Sequence, residues 1–180
     1  MANRILLSGN EAIAESALEA AREAGCPTLT TSFLLFALVD AGAEPVQVAD
    51  WVNGNRSESS VRLLREALRT LRLECDGQLA LITVDQEAFR RAQAGPEDTE
   101  EIVNVPRSIS GVRAVAYFKQ WEPGVVRVSL RSRGSVDVRK VAADFGGGGH
   151  TNAAGCAING ELPEIERQVA AAVADALRAA

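Results

Sequence analysis

The stretch "VRAVAYFKQWEPGVVRVSLRSR", residues 112–133, reads as two strands joined at the turn Glu122-Pro123-Gly124. In the second strand, strict alternation puts Val126, Val128 and Leu130 on one face and Arg127, Ser129, Arg131 and Arg133 on the other. A hairpin with one apolar face needs a covering layer, and the flanking sequence supplies one. Upstream, the turn "CDG" at residues 75–77 precedes "QLALITV", a short apolar run bounded as a buried strand is, and "QEAFRRAQA" then reads as a helix. Downstream, "VDVRKVAADF" reads as a helix running into glycines and "GCAING" as a last strand. In the final segment, Ile165, Val169, Val173 and Leu177 recur at the four-residue spacing of a helix packed on a sheet. The fold class this predicts is α/β: a mixed β-sheet domain partly covered by helices, preceded by a helical N-terminal appendage.

The appendage is read from "CPT" at residues 26–28 and "AGAEP" at residues 41–45, which punctuate a series of helices. In its last helix, "SESSVRLLREALRTLRLE", Val61, Leu64, Leu68 and Leu71 are expected to form one apolar stripe, with Ser57 or Ser59 as the N-cap. The chain accordingly divides into a leader and linker over residues 1–75 and a domain over residues 76–180. Apolar residues at 47% and charged residues at 24% fit a soluble globular protein and exclude a disordered or fibrous one. A net charge of −5 argues against wrapping long nucleic acid, so any phosphate site must be local. Cys26, Cys75 and Cys156 are odd in number and form no CxxC pair. With no apolar stretch long enough to span a bilayer, they suggest a reducing, cytoplasmic setting and no membrane partner.

Three stretches can carry chemistry. The first is the arginine face of the second strand. It is either a solvated face paired with carboxylates or a phosphate clamp, for which the planar guanidinium is suited by its two parallel donors. The second is "VAADFGGGGHTNAAGC", residues 141–156. Here Gly146, Gly147, Gly148 and Gly149 either form a permissive turn or gather backbone N–H groups into an anion-binding concavity, with His150 at its rim and a helical turn after it. The third, "EDTEEIVNVPRSISGV", holds Asn104 and Arg107 just before a strand, as an irregular connection or a further contact. No nucleophile is paired with a base, and one histidine cannot build a polynuclear His-rich centre. These residues are equipped to bind phosphate and not to cleave it.

"NVPRSISGV", "VSLRSRGSVDV" and "VAADFGGGGHTNAAG", in this order and spacing, resemble the DHH-associated C-terminal domain of the DHH phosphoesterases. The nearest subgroup is the nanoRNase and phosphoadenosine-phosphate phosphatase group, with RecJ-type exonucleases and cyclic dinucleotide phosphodiesterases as relatives. The resemblance runs from about residue 30 to the C-terminus, the part before the domain being similar to the last helices of the family's catalytic domain and its linker. It implies hydrolysis of phosphoester bonds in short oligonucleotides or nucleotides such as phosphoadenosine phosphate, by manganese held by His and Asp residues of an N-terminal catalytic domain. In this chain it implies that Arg131, Ser132 and the glycines up to Gly149 hold phosphates, that His150 contacts a phosphate or the terminal nucleotide, and that Arg107 and Asn104 add to the site.

The family's metal-binding signatures, the Asp-His-His motif among them, do not occur in the sequence. The expectation is therefore a substrate-binding part of a DHH-type phosphoesterase without a catalytic residue or cofactor of its own, inactive as this chain alone and complemented by a DHH catalytic domain. The alternative is a free-standing nucleotide or RNA-end binding module, and homo-oligomerisation stays open. The first 26 residues resemble instead the start of the alpha subunit of 2-oxoacid:ferredoxin oxidoreductases, and are expected to be a fused or substituted leader that supplies a helix.

Overall fold

The computed structural model describes residues 56–180 and the single residue Val46. The resemblance of the first 26 residues and the helices expected before residue 56 lie outside the described residues. The chain divides into two compact units at Arg56–Ser57, of which the second, Ser57–Ala180, is described here.

That unit holds a six-stranded sheet of order β1-β2-β3-β4-β6-β5. The strands are β1 (Arg72–Glu74), β2 (Leu79–Val84), β3 (Ala114–Glu122), β4 (Val125–Ser132), β5 (Gly148–His150) and β6 (Ala153–Asn159). The helices among the described residues are α1 (Glu58–Arg69), α2 (Gln86–Ala92), α3 (Asn104–Arg107), α4 (Val138–Asp144) and α5 (Leu162–Arg178), with a 3₁₀ turn at Pro96–Thr99. β2 and β3 run parallel, while every other neighbouring pair is antiparallel. The sheet is thus mixed, as the sequence implies. Each of the two expected turns places a glycine at positive φ, Gly77 at 83° and Gly124 at 73°, and the first proves to join a short strand, β1, to β2.

Side chains on the two faces build two cores. On one face, Ala116, Phe118, Val126, Val128 and Leu130 meet Val138 and Val141 of α4 and Ile165, Val169, Val173 and Leu177 of α5. These include all four residues whose spacing predicted the last helix. On the other face, Ala80, Ile82, Val115 and Tyr117 meet Leu63 and Ala67 of α1, Ala88 and Phe89 of α2, and Ile102 and Val103 ahead of α3. At roughly 25 cal/mol per Å² of apolar surface removed from water, two such layers supply the main drive for folding.

Helix α1 begins where expected, Ser57 Oγ accepting from the Ser60 N–H at 3.0 Å. Its buried face differs from the predicted stripe. Leu63, Glu66 and Ala67 face the sheet, while Val61 is 51% exposed and Leu68 39%. The cause is Glu66, a carboxylate in an otherwise apolar position that a count of apolar side chains passes over. Its Oε1 accepts from Arg65 at 2.9 Å and its Oε2 from Arg91 at 3.0 Å, with Arg69 at 3.5 Å. This helix, counted in sequence terms with the leader, packs here as a layer of the sheet domain.

Candidate functional site: an open basic face on the sheet

Directly paired residues on neighbouring strands share a face, so the register lays out the site. Across β3, β4, β6 and β5 one row runs Val115, Arg131, Ala153, His150. The next runs Tyr117, Ser129, Gly155, Gly148, and a third Lys119, Arg127, Ala157. All belong to the face that α1, α2 and α3 cover. The apolar cover, however, lies over β2 and β3. No residue of β4, β5 or β6 joins that cluster, and Arg127, Gly148, His150 and Ala157 are exposed.

A floor of small residues, Ala153, Gly155 and Gly148, is therefore flanked by Arg131 on one side and His150 on the other. With strands about 4.8 Å apart, the two backbones stand about 10 Å from each other. Arg131 donates only to the Leu130 carbonyl, at 3.0 Å, and no carboxylate of the described residues lies in ion-pair range of it. Arg127 is more engaged, with Glu122 at 4.0 Å and its guanidinium 4.9 Å from the Trp121 ring centroid. Lys119 adds a cation that the sequence reading did not select. Its Nζ donates to Ser129 Oγ at 2.8 Å. Burial first, then the charges of Arg131 and Arg127, hold its pKa below the ordinary 10.5, with Glu100 opposing them. Such a patch gains from an anion, which relieves the mutual repulsion.

The glycine run has a different form from the expected concavity. Gly146, at φ 73°, ends α4, its N–H bonded to the Ala143 carbonyl at 3.0 Å and that of Gly147 to the Ala142 carbonyl at 2.8 Å. Gly147 lies so close to β6 that a Cβ there would stand 2.2 Å from the Gly155 carbonyl oxygen. Gly148 and Gly149 belong to the edge strand β5, with open space beside the Cα of Gly148. His150 closes that strand, and Thr151-Asn152 form the turn into β6 rather than the start of a helix.

Ser132 stands apart from the other proposed phosphate contacts. It is buried on the opposite face, where its hydroxyl donates to the Val136 carbonyl at 2.6 Å and accepts from Asn152 Nδ2 at 2.9 Å. It ties the β5–β6 turn to the end of β4. Arg107 comes near the end of β4 through its carbonyl, which accepts from Arg133 Nη2 at 2.6 Å. Asn104 is the first residue of the same short helix, and both its side chain and that of Arg107 are exposed. The structure thus brings Arg131, His150 and Gly148 together with Lys119 and Arg127. Arg107 and Asn104 stand on a separate element beside them, and Ser132 lies beneath.

The fold is thus an α/β domain whose sheet leaves one half-face uncovered and basic. The DHHA1 domain model matches residues 77–179, and the chain belongs to that family. Over 123 residues it is 32% identical to the bifunctional oligoribonuclease and PAP phosphatase NrnA of Thermus thermophilus, covering 68% of this chain and 36% of that one. An exopolyphosphatase-related protein from Bacteroides fragilis superposes with a TM-score of 0.70 and 28% identity, over 80% of this chain and 42% of that chain. The pGpG-specific phosphodiesterase PggH of Vibrio cholerae shares the fold, at a TM-score of 0.52 and 13% identity over 96% of this chain and 63% of that one. The chain therefore spans 36% of the curated relative's length.

The resemblance implies manganese, and the described residues offer no grouped ligands for it. The sequence has one histidine, and among the described residues no three His, Cys, Asp or Glu side chains are grouped to hold a metal ion. No helix of the described residues is long and apolar enough to cross a membrane.

Proposed function

We propose that the open half-face binds the phosphates of short oligonucleotides or of nucleotides such as phosphoadenosine phosphate, as the substrate-binding part of a DHH-type phosphoesterase. The observation that carries this reading is Arg131. It is a half-buried guanidinium with no carboxylate of the described residues to answer it, level with His150 across a floor of alanine and glycine. Arg131 supplies a forked donor, Lys119 and Arg127 add positive charge, and Gly148 lets a phosphate approach the main chain. His150 can donate from its ring. In this reading, hydrolysis requires manganese ligands from a DHH catalytic domain, and the setting is the cytoplasm. The match to NrnA, named for oligoribonuclease and PAP phosphatase activities, supports the choice of ligand class.

Calorimetric titration of the chain with phosphoadenosine phosphate tests this. Arg131→Lys should weaken binding several-fold, to about ten-fold, because the ammonium keeps the charge and loses the fork. His150→Ala should weaken it less, and both should melt within a degree or two of the parent, since neither side chain is packed in a core. A pair of variants that bind like the parent would sink the reading. A parallel assay with manganese should show no turnover of a dinucleotide by this chain alone and turnover on adding a DHH catalytic domain. Failure of that complementation, with nucleotide binding intact, would favour the free-standing binding module.

A further inference from the structure

One cavity of the same face is not used by the phosphate reading. Between α2, the 3₁₀ turn and the end of β3 lies a cleft of about 430 Å³, lined by Gln86, Phe89, Arg90, Ala94, Pro96 and Trp121. Alternation along β3 puts Trp121 on the same side of the sheet as Tyr117 and Lys119. There it packs edge-on against Phe89, with ring centroids 6.1 Å apart and planes at 84°. The register of β3 and β4 shifts between Lys119 and Glu122, so that two residues of β3 stand against one of β4. The indole is half-buried, so part of it stays accessible.

Its surroundings fit a flat, polar-edged ligand better than a plain apolar one. The walls are aromatic and prolyl, and the polar side chains of Gln86 and Arg90 lie at the margin. Arg127, a residue of the basic face, stands with its guanidinium 4.9 Å from the centroid of the Trp121 ring that lines this cleft. Along β4, Arg127 and Arg131 are four residues apart, about 13 Å on a strand rising about 3.3 Å per residue. Cations therefore run from Arg131 through Lys119 to Arg127 and end beside an aromatic cleft. A line of positive charge leading to a stacking surface is the arrangement that binds single-stranded nucleic acid without regard to base identity.

Resting on the phosphate-binding reading, we infer that the Trp121 cleft takes a nucleobase of an oligoribonucleotide beyond the nucleotide held at Arg131 and His150. The open face then reads chain length: a trinucleotide fills both ends, whereas a mononucleotide fills only one.

The test compares phosphoadenosine phosphate with a 5′-phosphorylated adenosine trinucleotide, by calorimetric titration of the full chain. The parent should bind the trinucleotide more tightly. Trp121→Leu, which keeps an apolar side chain against Phe89, should weaken the trinucleotide about ten-fold, as loss of one base–aromatic stack does. It should leave the mononucleotide within two-fold, and Trp121→Phe should recover most of the difference. The inference is overturned if the parent does not prefer the trinucleotide, if Trp121→Leu leaves that preference intact, or if it weakens both ligands equally. Arg131→Lys separates this from failure of the underlying reading. If it weakens both ligands while Trp121→Leu weakens neither, the base cleft alone falls; if it weakens neither, the phosphate face falls with it.

Discussion

The two halves of one sheet face treat arginine in opposite ways. On α1 and α2, which cover one half, the guanidinium groups of Arg65, Arg69 and Arg91 converge on a single carboxylate, Glu66, whose side chain is 1% exposed. On β4, a few strand positions away, Arg131 sits half-buried with no carboxylate of the described residues to meet it. The first arrangement is internally neutralised and closes a layer. The second leaves charge unanswered at a place where the floor has been cut down to Gly148, Gly155 and Ala153. What separates a structural cluster from a binding surface here is therefore whether the fold supplies the counter-charge, and not how many cations are present.

The largest test of that contrast concerns the approach of the β5 segment to β6. Gly147→Ala places a Cβ against the Gly155 carbonyl oxygen, a backbone atom that cannot swing aside. Unfolding free energy should fall by about 3 kcal/mol or more, in the upper range for overpacking. A melting temperature like the parent's would show that β5 is not held against β6 as described. Next in size is Ser132→Ala, which removes a donor to the Val136 carbonyl and an acceptor for Asn152. Denaturant unfolding should register a loss of about 1–2 kcal/mol, since a buried hydroxyl that both donates and accepts is removed. Nucleotide affinity of the folded variant should be unchanged. The neighbouring Arg131→Lys should give the reverse pattern, and a like response from both would erase the distinction between the two faces.

A smaller effect appears only in acid. The Glu66 carboxyl is held below its ordinary 4.5, first by the hydrogen bond from Arg65 and then by Arg91, against an opposing contribution from burial. A depressed folded-state pKa contributes stability above the ordinary value and loses it as pH falls through the lowered one. Glu66→Gln should therefore be less stable than the parent at pH 7, and the gap should close as pH falls below the ordinary 4.5 and through the lowered value. A gap of constant size would mean that the charge of Glu66 does not stabilise the covered half. The smallest stability change is expected for Gly148→Ala. Its φ lies outside the left-handed region and nothing stands within 4 Å of the added Cβ, so unfolding should move by less than about 0.5 kcal/mol. The methyl group nonetheless rises from the floor between Arg131 and His150. A loss of phosphoadenosine phosphate affinity without loss of stability would sharpen the assignment of this floor; unchanged affinity would move the phosphate elsewhere.

Much of this was legible from periodicity. The alternation in β4 sorts its residues onto the faces they occupy, and applied one residue further it also places Ser132 with Val128 and Leu130, on the side away from Arg131. The spacing of Ile165, Val169, Val173 and Leu177 identified the buried stripe of α5. On α1 the same method was half right: Leu64 and Leu71 pack against the core, whereas Val61 and Leu68 are exposed and the charged Glu66 is buried in the stripe. Lys119 was missed for a related reason. Read alone it is a polar residue near a strand end, and its meaning comes from standing opposite Arg127, which is a matter of register between strands and not of spacing within one. The glycines were read as a loop because composition marks permissive backbone without saying whether that freedom serves a turn or a close approach. Here Gly146 serves the first and Gly147 the second.

The strand that carries His150 has a bearing on how the molecule behaves at high concentration. β5 is one border of the sheet and β1 the other, and each is three residues long. Long, flat borders recruit strands from other chains and seed aggregates. A border of Gly148, Gly149 and His150 offers an incoming strand few ladder bonds and little side-chain surface to hold on to. The domain can thus keep an exposed length of bare backbone at the edge that carries His150 and still resist growing by strand addition, which gives the edge glycines a value in colloidal stability.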